Sequence, residues 1–186
     1  MSSPRILILP GWQGSGPGHW QTLWQQQQQQ QQQQQGWERV EQHDWQRPLR
    51  GDWSIQLEEA LLASEQPAVL VAHSLGCILV AAWASHSRHT ARVRAALLVA
   101  PADTERSPIQ AQLPSWSPIP RQGLPFPSVL VASRNDPYCD FERARSLAQA
   151  WGSRLVDQGE AGHINADSGL GAWPQGLALL QDLIKN

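Results

Sequence analysis

The chain has 186 residues, a formal net charge of -2 and an isoelectric point near 6.3. That length fits one domain, since domains commonly run to roughly 100–200 residues, and it suffices to bury a core without disulfides or metals. The balanced charge, with no long run of one sign, excludes the basic footprint of a nucleic-acid binder, and no stretch approaches the roughly 18 apolar residues of a membrane helix.

The first strand is expected at Arg5–Leu9. Its apolar run is shorter than a signal-peptide core of about 7–15 residues, so a soluble, cytoplasmic protein is expected. Leu9 opens a loop to Trp20 with glycines at 11, 14, 16 and 18. Such a loop can aim backbone amides at an anion. It lacks both the dinucleotide glycine pattern leading straight into a helix and a P-loop lysine, so an oxyanion is the better guest than a phosphate. The Trp12 N–H is the expected donor, with Gln13 as the near alternative. A helix begins near His19. The uninterrupted tract Gln25–Gln35 has helix propensity but no apolar face, so it is expected to extend that helix outside the core and to carry no catalytic chemistry.

Further strands are expected at Trp37–His43, Ala68–His73, Ala95–Ala100, Ser128–Ala132 and Arg154–Asp157, and helices over 52–63, 75–86, 141–151 and 173–184. Several strands are almost continuously apolar, as in sheets covered on both faces. The alternation predicts an α/β fold with a mainly parallel sheet. One segment breaks the rhythm. Asp103–Pro127 holds six prolines, which forbid a long helix or a central strand. It reads either as a cap over a site, with a short helix near Ile109–Leu113, or as a surface connection.

The strongest chemical signal is Ala72-His-Ser74-Leu-Gly76, where a buried strand runs into a serine and then directly into an apolar helix. That context fits a nucleophile elbow, with Ala72 standing where the commoner motif has glycine. The N–H of Leu75, at the helix start, is the second expected oxyanion donor. A serine hydroxyl needs a base. His73 should leave on the other side of its strand, and His86 and His89 lie near a helix C-terminus. His43 and His19 are candidates for the pocket edge. His163, in the polar, glycine-rich loop from Gly159 to Gly169, is the expected base. Asp136, fixed in the Asn135-Asp136-Pro137 turn after a strand, is the expected acid; Asp103 occupies the equivalent place one strand earlier, and chain order fits both. Asp157 and Asp167 read as solvated.

Taken in order, Leu9-Pro-Gly-Trp12, His19-Trp20, Ala72 to Cys77, Ser133 to Cys139, Gly162 to Asn165 and Gly169 to Pro174 resemble the YdeN-like, retinoblastoma-binding-protein-type serine hydrolases from Ile6 to about Ile184. The resemblance implies a minimal α/β-hydrolase with strand order 2-1-3-4-5-6, and it puts Ser74, Asp136 and His163 on the family triad. The vertebrate L-x-C-x-E motif is not matched by Leu75-Gly-Cys77-Ile-Leu79, so pocket-protein binding is not carried over. The expected activity is hydrolysis of small ester, thioester or amide substrates through an acyl-serine. A non-catalytic binding protein and an acyltransferase are the alternatives. Trp12, Gln13, His19, Trp20, Trp116 and Trp173 are expected around a small, aromatic-tolerant pocket. No metal or organic cofactor is expected, because no zinc spacing occurs. Cys77 and Cys139 read as reduced thiols, and each of the ten tryptophans taken singly reads as core.

Overall fold

The structure, a computed structural model, describes residues 4–30 and 36–185. Among them six strands and six α-helices follow one another as β1 (Arg5–Leu9), α1 (Trp20–Gln30), β2 (Trp37–Arg39), α2 (Arg50–Leu62), β3 (Ala68–His73), α3 (Leu75–Ala84), β4 (Val93–Val99), α4 (Ile109–Gln112), β5 (Ser128–Ala132), α5 (Phe141–Trp151), β6 (Arg154–Asp157) and α6 (Pro174–Lys185). The strands form a single parallel sheet in the order β2-β1-β3-β4-β5-β6. This is the expected minimal α/β-hydrolase topology.

The strand residues sort onto two faces with a period of two, as the pleat requires. Leu70 and Ala72 of β3 face one layer with Leu98 of β4 and Leu130 of β5, covered by α2, α3 and α5 through Trp53, Leu57, Ile78, Leu147 and Trp151. Val69 and Val71 face the other with Leu97 and Val131, covered by α1 and α6 through Trp20, Trp24 and Leu180. Burial on both faces explains why β1, β3 and β5 read as continuous apolar runs. β2 is shorter than its apolar pattern suggests: it ends at Arg39, and His43 lies beyond it, exposed.

The glutamine tract divides. Gln25 to Gln30 continue α1, away from Trp20, Gln21 and Trp24, which hold its buried turn; the remainder of the tract lies outside the described residues. Among the described residues six tryptophans donate their indole N–H to backbone carbonyls of irregular segments. Trp12 bonds Gln46, Trp20 bonds Ile164, Trp24 bonds Ala172, Trp53 bonds Asp44, Trp116 bonds Pro48 and Trp151 bonds Pro120. A large ring with one polar corner is well suited to fasten a loop to a core, because its body is buried while its donor satisfies a turn carbonyl. Cys77 and Cys139 are free and buried. Among the described residues no helix is long and apolar enough to cross a membrane.

Candidate active site

The carboxyl ends of the strands share one edge, where open α/β sheets take ligands. β3 ends there at His73, and the chain turns at Ser74 (φ 56°, ψ -117°) directly into α3. A positive φ is strained for serine and persists only when its surroundings impose it. Here the Ser74 N–H donates to the Val99 carbonyl at 2.9 Å, and the Ser74 carbonyl accepts from Cys77 N at 3.0 Å. Strand and helix pass so closely that a Cβ at Gly76 would run into the Leu9 carbonyl oxygen and lie 3.0 Å from that of Pro10. At Gly11 a Cβ would stand 2.7 Å from the Ser74 Cβ. The upstream position tolerates Ala72, fully buried, so the methyl that replaces the usual glycine fits.

His163 comes from the loop after β6. Its Nε2 lies 2.8 Å from Ser74 Oγ, and its Nδ1 lies 2.9 and 3.0 Å from the two carboxylate oxygens of Asp136. All three side chains are buried, so little solvent competes for these bonds. Asp136 is fixed in turn by the Tyr138 N–H at 2.9 Å. The structure separates the two aspartates that chain order leaves open. Asp103 turns its carboxylate to Arg143 at 3.1 Å, within a network that also joins Arg143 to Glu105. Asp157 pairs with Arg134, and Asp167 is exposed.

Gln13 has its N–H taken by the Trp45 carbonyl at 3.1 Å, whereas neither the Trp12 nor the Leu75 N–H has an acceptor among the described residues. Trp12, Gln13 and Leu75 line a cavity of about 440 Å³ in front of Ser74. Ala102, Pro108, Ile109, Leu113 and Tyr138 supply the rest of its apolar wall, and Gln112 and Asn165 its polar spots. Among the described residues no Asp, Glu, Lys or Arg lines it.

Four expected pocket residues are elsewhere. Trp20 and Trp173 are buried beneath the His163 loop, Trp20 holding the Ile164 carbonyl at 2.8 Å and Trp173 stacked on Trp24. Trp116 is buried against Trp53, and His19 is buried against His73. These large rings brace the loops that shape the opening and do not face it. Burial, then Arg39 and His163, lowers the His19 pKa to about 4.

Sequence reasoning missed several wall residues, His73, Tyr138 and Asn165 among them. His73 does turn to the other face of its strand, but the His163 loop lies over that face. Its Nε2 therefore meets the His163 carbonyl at 2.9 Å and its ring reaches the cavity. Burial, followed by the neighbouring His163 and His19, holds His73 well below the usual imidazole range. Tyr138, half exposed, sets its ring edge-on to His163 with centroids 4.6 Å apart. Its place two residues after Asp136 was a usable signal. Asn165 caps the short 3₁₀ turn Ala166–Ser168. Among the described residues no cluster of three or more His, Cys, Asp or Glu is arranged to hold a metal ion.

Comparison with known proteins identifies the family. The profile of the serine hydrolase family matches residues 6–182. A YdeN-like hydrolase from Pectobacterium atrosepticum is 32% identical, covering 97% of this chain and 90% of its own, with a TM-score of 0.83. The ydeN gene product of B. subtilis, 19% identical, aligns over 98% of this chain and 100% of its own at a TM-score of 0.78. An esterase domain from Rhodothermus marinus, 16% identical, aligns over 98% and 88% at 0.69. These last two share the fold. A search of the curated proteins found no match. With a family profile spanning nearly the whole sequence and a hydrolase relative of the same architecture, the chain belongs to the serine hydrolase family and has the α/β-hydrolase fold.

Proposed function

We propose that the protein hydrolyses small ester, thioester or amide substrates in the manner of a carboxylesterase, with Ser74 as nucleophile, His163 as general base and acid, and Asp136 as its orienting partner. The reading rests above all on the 2.8 Å contact between Ser74 Oγ and His163 Nε2. His163 takes the hydroxyl proton as Ser74 attacks the acyl carbon, and the Asp136 carboxylate stabilises the imidazolium and fixes its tautomer. The N–H groups of Trp12 and Leu75, which have no acceptor among the described residues, receive the oxyanion. His163 then protonates the leaving group, and water releases the acyl chain by the reverse path.

The uncharged, mostly apolar cavity favours a small neutral acyl group. Trp12 and Tyr138 are its aromatic contacts, in place of the four residues buried elsewhere. The segment 103–127 acts as a cap, since Pro108, Ile109, Gln112 and Leu113 form one side of the cavity. A fluorophosphonate probe tests the reading. It should label the wild type and leave Ser74→Ala unlabelled, and Ser74→Ala should lose ester turnover, keeping at most the roughly 10³-fold advantage over water that binding and oxyanion donors supply. An intact wild type that is neither labelled nor active overturns it. Added alcohols or amines that capture the acyl group in preference to water would redirect it to acyl transfer.

A further inference from the structure

We propose that His73 is a positioning residue, whose ring N–H, bonded to the His163 backbone carbonyl, sets the base at its working distance from the serine. The inference rests on the reading of Ser74 and His163 as nucleophile and base. His163 lies between two residues of positive φ, Gly162 (57°) and Ile164 (46°), so its loop needs external support. Two ring donors supply it at consecutive carbonyls: His73 Nε2 to His163 at 2.9 Å and Trp20 Nε1 to Ile164 at 2.8 Å. A carbonyl only accepts, so the bond requires the proton on Nε2 of His73.

The covalent path makes this bond more than a generic tether. His73 directly precedes Ser74 in the chain. The Ser74–His163 contact, the His163 backbone, the His73 bond and the His73–Ser74 peptide therefore form a closed circuit containing two hydrogen bonds. His163 cannot withdraw from Ser74 without stretching the His73 bond or turning its side chain. The His73 ring is itself hemmed in, with His163 at 4.8 Å between centroids and His19 at 4.6 Å on the other side. Burial keeps this ring neutral, so no second cation opposes the imidazolium that forms on His163 during turnover.

Three substitutions separate the hydrogen bond from mere volume. His73→Phe keeps a flat ring and removes the donor. His73→Gln sets an amide N–H close to where Nε2 lies, and His73→Asn reaches only as far as Nδ1. Misplacement of a catalytic group by about 1 Å costs on the order of 100-fold, so His73→Phe should lower kcat by roughly 10- to 100-fold. His73→Gln should recover most of that loss. If His73 only fills space, the order reverses, because Phe suits an apolar niche better than Gln. kcat is expressed per site titrated to completion with a fluorophosphonate, so misfolded molecules are not counted; His73→Asn replaces the Phe variant if that protein is insoluble. A wild type that is labelled and active, with Phe or Asn equal to or better than Gln, overturns the positioning role alone. A wild type that is neither labelled nor active overturns the underlying reading.

Discussion

Ser74 and Ile109 line the same cavity, yet the chain holds them in opposite ways. Ser74 joins a fully buried strand to a helix buried from Leu75 through Trp83, and backbone bonds hold its positive φ on both sides. Ile109 lies on a short helix with no buried residue, in a proline-rich segment tied down at separate points. Thr104 Oγ1 bonds the Trp116 carbonyl at 2.8 Å, Trp116 bonds Pro48 at 2.9 Å, and Glu105 accepts from Ile119 N at 2.8 Å. Close packing makes the floor intolerant of added atoms, whereas a roof fastened at points accepts changes between its fasteners. On the proposed reading, chemistry then belongs to the floor and selectivity to the roof.

The hardest test of that division uses the two aspartates. Asp136→Asn is expected to lower kcat about 10⁴-fold, because an amide favours the wrong imidazole tautomer. Asp103→Asn should leave kcat near wild type, since that carboxylate is engaged with Arg143 on the roof side. Steady-state kinetics on one ester checks both. A larger loss from the Asp103 variant would move the acid to the roof and erase the distinction.

The next largest effect concerns stability. Gly76→Ala drives a methyl into backbone carbonyls that cannot step aside, and a loss on the order of 4 kcal/mol is expected. Gly123, in the roof segment, has open space where a Cβ would stand, so Gly123→Ala should change stability by less than about 1 kcal/mol. Urea unfolding of both variants measures the contrast. A Gly76→Ala protein of wild-type stability would mean that the elbow is looser than its contacts indicate.

The same division governs what could be read in advance. The floor is legible because local pattern and three-dimensional role coincide there. The run Val69 to Val71 is apolar because the strand is covered on both faces, and Gly76 is small because the helix crosses β1. Ser74, Asp136 and His163 each follow a strand, and the sheet brings those ends together. The cavity wall is less legible because it depends on which way a side chain leaves a loop. Trp20, Trp116 and Trp173 sit in the right segments but turn inward, where indole bodies are buried and the donors of Trp20 and Trp116 meet carbonyls. His73 turns away from the serine as its strand position predicts, but its contact is not legible locally, because the far side of that strand is where the His163 loop arrives.

Acid should find the floor before the roof. His19 and His73 are buried neutral, each with its pKa lowered first by burial. In the unfolded chain both protonate near pH 6.5, so below that pH the unfolded state binds more protons and the folded state loses stability. For His19 the loss accumulates as pH falls from about 6.5 to about 4, and it amounts to on the order of 3 kcal/mol. His73 acts in the same direction. Urea midpoints at pH 8, 7, 6 and 5 should decline below 6.5, and His19→Phe should flatten part of that decline. A profile unchanged by the substitution would remove His19 from the account.

The smallest expected effect is the one that most directly sharpens the contrast, because it should alter choice of substrate and leave the chemistry intact. Ile109 is half-buried and presents its side chain to the cavity from the roof, far in the chain from every group that moves a proton. Truncation to alanine enlarges the acyl space by three methyl-sized groups. A methylene in an apolar pocket is worth about 1–3 kcal/mol of discrimination when the fit is tight, and an exposed roof that can relax delivers the lower end. Ile109→Ala should therefore shift the kcat/KM ratio of a longer over a shorter acyl ester by roughly 5- to 10-fold toward the longer, with kcat on the shorter ester unchanged. Rates on a graded series of esters measure it. A uniform fall across the series would mean that the roof helps to hold the reacting groups, and that floor and roof form one machine.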